Sequence, residues 1–172
     1  MANQIITIGR QCGSGGHTIG KLLSQRLGLP FYDKKIVEMV AAKTKLSPDF
    51  IRSHGEYFHG GSIGHIIGYG TRFNGPMKTG SALTDQLHQA QTEIVLEVAA
   101  EGPCVIVGRC ADYILRGKFP TLNVFIHSEM PHKVERSVEE HGLARDRAAS
   151  ILTRRDKARA HHYRFYTDQK WG

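Results

Sequence analysis

Long apolar runs are missing from this 172-residue chain: none approaches the ~20 residues that a membrane-spanning helix needs. That excludes a helical membrane protein. The opening, Met-Ala-Asn-Gln before Ile5-Ile6-Thr7-Ile8, lacks the charged start and small-residue cleavage site of a secretory signal, so a cytoplasmic protein is expected. Cysteine is scarce too. Cys12, Cys104 and Cys110 show no Cys-x-x-Cys spacing, which points to reduced thiols rather than a disulfide framework or a zinc site. The ten histidines are scattered, and the adjacent His161 and His162 would diverge by about 100° on a helix instead of chelating together. No structural metal is expected. Nor is there an internal repeat or a clear linker, so the chain reads as one domain.

Short apolar segments alternate with helical patterns. Residues 4–8 form a β-branched run, glycines follow from Gly9 to Gly20, and Ile19, Leu22, Leu23 and Leu27 recur at helical spacing before Gly28. Pro30-Phe31-Tyr32 reads as a second strand, ending at Asp33 ahead of the helical Ile36, Val37 and Val40. Residues 81–101 read as a long helix, Cys104-Val-Ile-Val as a buried strand, residues 113–115 as a short helix, and residues 122–126 as a further strand. Ser128 and Pro131 suit the cap and first turn of another helix. Alternating buried strands and helices predict an α/β fold with a parallel sheet covered on both faces. Tyr163, Phe165 and Tyr166 read as core. Between His54 and Gly80 the texture changes to eight glycines and weak periodicity, a loop-rich stretch of the kind that is usually functional or flexible.

The net charge is +7, and residues 143–170 carry eight Lys/Arg against three Asp. Such a segment calls for an anionic partner, polyphosphate or nucleic acid. Nucleic acid is disfavoured, because no recognised RNA-binding module is present.

Gly9-Arg-Gln-Cys-Gly-Ser-Gly-Gly-His-Thr18 is the strongest local signal. A glycine-rich turn between a strand and a helix aims backbone N–H groups at a phosphate, aided by the helix N-terminus. The candidate phosphate-binding residues are Gly13, Ser14, Gly15, Gly16, His17 and Thr18. The standard phosphate-loop pattern would put lysine at Gly16 and Ser or Thr at His17. A dinucleotide-binding reading fails at Thr18, where its third glycine should stand. Arg10 is the permanently charged residue of the loop and is expected to take the missing lysine's task, the alternative being a carboxylate partner elsewhere. Arg109 follows a strand, where open α/β sheets bind ligands. Asp33 is either an acceptor-orienting group or the N-cap of the next helix.

Several of these segments, in order, resemble the cytidylate kinase-like family: Ile6-Thr-Ile-Gly-Arg-Gln-Cys-Gly-Ser-Gly-Gly16, Leu29-Pro-Phe-Tyr-Asp33, Val105-Ile-Val-Gly-Arg-Cys110, and Arg154-Arg-Asp-x-x-Arg159 with His162-Tyr-Arg-Phe-Tyr166. The resemblance implies a P-loop NTPase-type three-layer fold of the nucleoside-monophosphate-kinase kind. It implies one domain over residues 1–172, with a glycine-rich substrate-binding insertion at about 46–80 and a lid-like segment at about 143–160. The activity implied is ATP-dependent phosphoryl transfer with Mg2+ to a CMP-like nucleoside monophosphate or similar small acceptor. The catalytic candidates are Arg10, Arg154, Arg155 and Arg159, and the acceptor-binding ones are Asp33 and Arg109. Cys110 stands where cytidylate kinases carry aspartate, which weighs against strict cytosine specificity. Such folds add a strand and helix after Trp171-Gly172, so a shortened C-terminus is expected. Three matters stay open: whether Arg154, Arg155 and Arg159 are only a solvated face with Asp156, whether the chain is a nucleotide sensor without catalysis, and whether it forms a homo-oligomer.

Overall fold

Among the described residues four short strands, three of them rich in β-branched residues, pair into one parallel sheet. The computed structural model describes residues 4–54 and 80–172. In chain order the elements are β1 (Ile5–Arg10), α1 (Gly16–Leu27), β2 (Phe31–Tyr32), α2 (Lys34–Thr44), α3 (Pro48–His54), α4 (Gly80–Ala100), β3 (Val105–Val107), α5 (Ala111–Ile114), β4 (Thr121–Ile126), α6 (Met130–His141) and α7 (Arg145–Thr167). The spatial order is β2-β3-β1-β4, with Ile6 opposite Val105, Ile5 opposite Thr121 and Phe31 opposite Val105. All four carboxyl ends therefore lie along one edge, where an open α/β sheet receives its ligands.

The two-residue period of the strands divides the core. Ile6, Ile8, Val105 and Val107 face one way and pack with Leu23 of α1 and Phe31. Ile5 and Ile106 face the other way, among Ile36, Val40, Val95, Val98 and Leu115. The inner strands β1 and β3 are covered on both faces, as parallel pairing favours, but the expected cover does not extend to the edge strand β4, where Leu122 and Val124 are exposed. α1 lies very close to the sheet at Gly20, where an added Cβ would sit 3.1 Å from both Ile8 and Val107. Gly28 ends that helix in a left-handed turn, φ 64°.

Two expectations need correction. Ser128 does not cap α6; Glu129 occupies that position and no side chain caps the helix, although Pro131 does sit in the first turn. Ser128 lies one residue too early and gives its N–H to Gln11 Oε1. Phe165 is not core but 62% exposed. Two residues on a helix are some 200° apart, so burying Tyr163 turns Phe165 to solvent. The glycine-rich stretch read as a substrate-binding insertion lies, from residue 55 to 79, outside the described residues. Among the described residues no helix is long and apolar enough to cross a membrane.

α7 runs unbroken for 23 residues, and its end packs on α4. His88 stacks on Tyr166, ring centroids 3.6 Å apart and 9° from parallel, while Tyr166 donates to Asp85 Oδ1 at 3.3 Å. Burial pushes the His88 pKa down to about 4, only partly opposed by Asp85. Between that value and the ordinary 6.5, the unfolded chain binds the proton that the folded chain refuses. Stability must therefore fall as pH drops from about 6.5 towards 4. Urea melts across that window should show the slope, and His88→Phe, which keeps the stack, should flatten it.

Candidate functional site

β1 delivers the chain at Arg10 into a turn that reverses into α1. Gly13 (φ 73°) and Gly15 (φ 83°) both occupy the left-handed region that L side chains avoid. The turn is tight for a second reason: a Cβ at Gly13 would lie 2.7 Å from the Lys133 carbonyl oxygen and from Ser137 Oγ. Ser14, 7% exposed, spends its hydroxyl inside the turn, donating to the Gln11 carbonyl at 2.9 Å. Gly16 explains the absent lysine. Its hypothetical Cβ would fall 2.5 Å from Arg10 Cβ, so no side chain fits there. His17 and Thr18 face solvent in the first turn of α1. The result is a glycine-lined backbone turn at a helix N-terminus, with partial positive charge.

Two helices from far along the chain clasp this turn. Lys133 of α6 is buried, 3% exposed, with Nζ donating to Asp156 Oδ2 at 2.5 Å and to Gln11 Oε1 at 3.3 Å. The other oxygen of Asp156 accepts the Cys12 backbone N–H at 2.7 Å. Asp156 is therefore no surface ion-pair partner of its arginine neighbours; α7 turns it inward. One helical turn later Arg159 donates to the Arg10 carbonyl at 3.3 Å. On α6, Arg136 lies over the turn, its Nη1 3.0 Å from where a Cβ on Gly15 would stand.

Arg10 crosses the carboxyl end of β3. Its guanidinium lies against Gly108 so closely that a Cβ there would collide with it, and it reaches 3.9 Å from Asp33. Of the two roles weighed for Arg10, this arrangement is the carboxylate pairing, with a carboxylate that itself belongs to the site. Asp33 stands at the N-cap position of α2 but makes no capping bond; its second oxygen meets His17 Nδ1 at 2.6 Å. Gly108, Arg109 and Cys110 all have positive φ (75°, 63° and 54°), a sharp left-handed turn at the end of β3. Arg109 is 8% exposed and donates to Gln91 Oε1 at 3.3 Å. Arg10, Arg109 and Arg159 line one cavity of about 210 Å³, together with Asp112, Asn123 and Tyr163. Tyr163 donates to Asp112 Oδ2 at 2.6 Å, and burial with that bond raises its pKa. Arg154 and Arg155 do not join them; both are exposed on α7.

A sequence model of the cytidylate kinase-like family matches residues 5–172, nearly the whole chain. The chain belongs to that family. No curated protein matches it. Among solved structures it is similar to an uncharacterized protein from Eubacterium ventriosum ATCC 27560, at 25% identity and a TM-score of 0.68, covering 98% of this chain and 81% of that one. It is also similar in fold to TT1252 from Thermus thermophilus, at 18% identity and a TM-score of 0.56, covering 99% and 87%. Membership gives a nucleotide-kinase-like role at family level and a P-loop-compatible fold.

Within this cytidylate kinase-like site, sequence reading missed Gln11, Lys133, Arg136 and Asp156. The available signal was weak: Lys133 and Arg136 are three apart on one helix, a spacing equally usual on a solvated face. Two outcomes follow. Putting lysine back at Gly16 should destabilise the fold by about 1–3 kcal/mol, the cost of overpacking, rather than restore a standard loop; denaturant melts of Gly16→Lys check this. Lys133→Met strands the Asp156 carboxylate and should cost about 3–5 kcal/mol, while adding Asp156→Leu should recover part of the loss. A double-mutant cycle reads that coupling directly.

Proposed function

We propose that this member of the family is a phosphotransferase that moves the γ-phosphoryl group of ATP to a nucleoside monophosphate or similar small anionic acceptor. The observation carrying this reading is the left-handed glycine turn, Gly13 to Gly16, with the Arg136 guanidinium over it and Arg10, Arg109 and Arg159 gathered on the adjoining cavity. Phosphoryl transfer asks little covalent chemistry of the protein; it asks for position and positive charge. The backbone N–H groups at the start of α1 would hold the donor phosphates, and Arg136 would supply the charge that Gly16 cannot. The cavity arginines would hold the acceptor's anion, since guanidinium donors fit phosphate oxygens two at a time. Arg10 would border both, which suits a residue placed to stabilise the charge of the transferring group.

The described residues contain no cluster of three His, Cys, Asp or Glu side chains fit to hold a metal ion, and the usual hydroxyl position is His17. Magnesium would therefore arrive on the triphosphate, held chiefly by its phosphate oxygens, and would neutralise part of their charge there. Base choice is not expected to favour cytosine, because Cys110 is a buried residue at the start of α5 and offers no carboxylate to a base edge.

One observation bears equally on a second reading. The closed-off Gly16 is as compatible with a nucleotide sensor as with an enzyme. Incubation with ATP, magnesium and each nucleoside monophosphate in turn, with ADP measured, separates the two. Turnover with at least one acceptor is expected, and Arg136→Ala should weaken ATP binding by roughly 1.5–3 kcal/mol, the scale of a charge-assisted hydrogen bond. Bound ATP with no ADP above background across the panel would leave the sensor.

A further inference from the structure

Phosphate binding does not account for the pairing of His17 with Asp33. The His17 Nδ1 to Asp33 Oδ2 distance is 2.6 Å, the ring stands edge-on to Phe31 at 5.5 Å, and the side chains are 48% and 13% exposed. A carboxylate only accepts, so this bond puts the hydrogen on Nδ1 and leaves Nε2, on a half-exposed ring, as a proton acceptor. A carboxylate that orients an imidazole in this way also stabilises the imidazolium that forms when the ring takes up a proton. Among the described residues the ring pairs with Asp33, at the β2–α2 junction, and Asp33 in turn with Arg10 of β1. Through Arg10 the pair adjoins the cavity that Arg109 and Arg159 also line.

A monophosphate acceptor attacks as an anion and has no proton to lose first. An alcohol must shed its proton as it attacks, and gains from a positioned base. We propose, on top of the phosphotransferase reading, that the acceptor is an anionic alcohol: its anion rests on Arg10, Arg109 and Arg159, and its hydroxyl is deprotonated by the His17–Asp33 pair as it attacks. In the step, the acceptor O–H bond breaks and its proton goes to His17 Nε2. The acceptor oxygen forms a bond to the γ-phosphorus of the nucleoside triphosphate, and the bond from that phosphorus to the bridging oxygen breaks. A nucleoside diphosphate leaves, and the imidazolium returns its proton to solvent. The product is a phosphate ester, not a phosphoanhydride.

The nature of the new bond is the test. The full chain is incubated with ATP, magnesium and a panel of nucleoside monophosphates, phosphorylated alcohols and hydroxy acids, and products are read by phosphorus NMR. An ester resonance is expected. His17→Asn keeps a donor toward Asp33 but cannot take up a proton; kcat should fall at least about 100-fold. Should that variant not fold, the wild-type product decides alone. An anhydride product, or His17→Asn at full kcat, overturns the proposal and leaves the kinase reading standing. ATP binding with no product from any acceptor overturns both.

Discussion

The carboxylate of Asp156 is the contact on which the site depends. One oxygen takes the Cys12 backbone N–H and the other the Lys133 ammonium, so a single side chain ties the glycine turn to α6 and to α7. Burying a charge costs several kcal/mol unless it is paired and hydrogen-bonded; here both oxygens are used and the opposite charge is adjacent. That completeness makes the arrangement specific. A helix shifted by one residue would leave a buried ammonium or carboxylate unmatched, which sets the rotation of α7. With that rotation set, Arg159, three residues on along the same face, meets the Arg10 carbonyl.

The same geometry explains how a glycine can stand where phosphate loops carry lysine. The start of α1 is pressed against the Arg10 stem, so the turn trades a side-chain charge for close backbone packing. Positive charge then comes from elsewhere: Arg136 over Gly15, and Arg10 beside Gly108. The Lys133 charge is not available for this, being spent on Asp156. Left-handed backbone at Arg109 and Cys110 costs roughly 1–2 kcal/mol per residue, and Arg109 is buried there against Gln91. Strain of this kind gathers where a site must be held in shape.

The elements were largely legible. Apolar period and glycine punctuation placed the strands that became β1 to β4 and the end of α1 at Gly28, because both signals arise within one element. Reading failed where a neighbour in space outranks a neighbour in sequence. Asp33 looked like a helix cap, and it holds that position, but His17 and Arg10 compete for its oxygens. Arg154, Arg155 and Arg159 looked alike; only Arg159 lies on the buried face of α7.

What the sequence alone determined was the kind and order of elements, the glycine turn between β1 and α1, and the family to which the chain belongs. These rest on residue type and spacing over a few turns of chain. Which charged side chain meets which part of the turn was decided only by the tertiary structure: Asp156 accepts from the Cys12 backbone N–H across 144 residues, and Arg159 donates to the Arg10 backbone carbonyl across 149. The side-chain pattern of one helix states which face is apolar, not which neighbour that face will touch. That partner is set by strand order and by the helix rotation that leaves no buried charge unmatched.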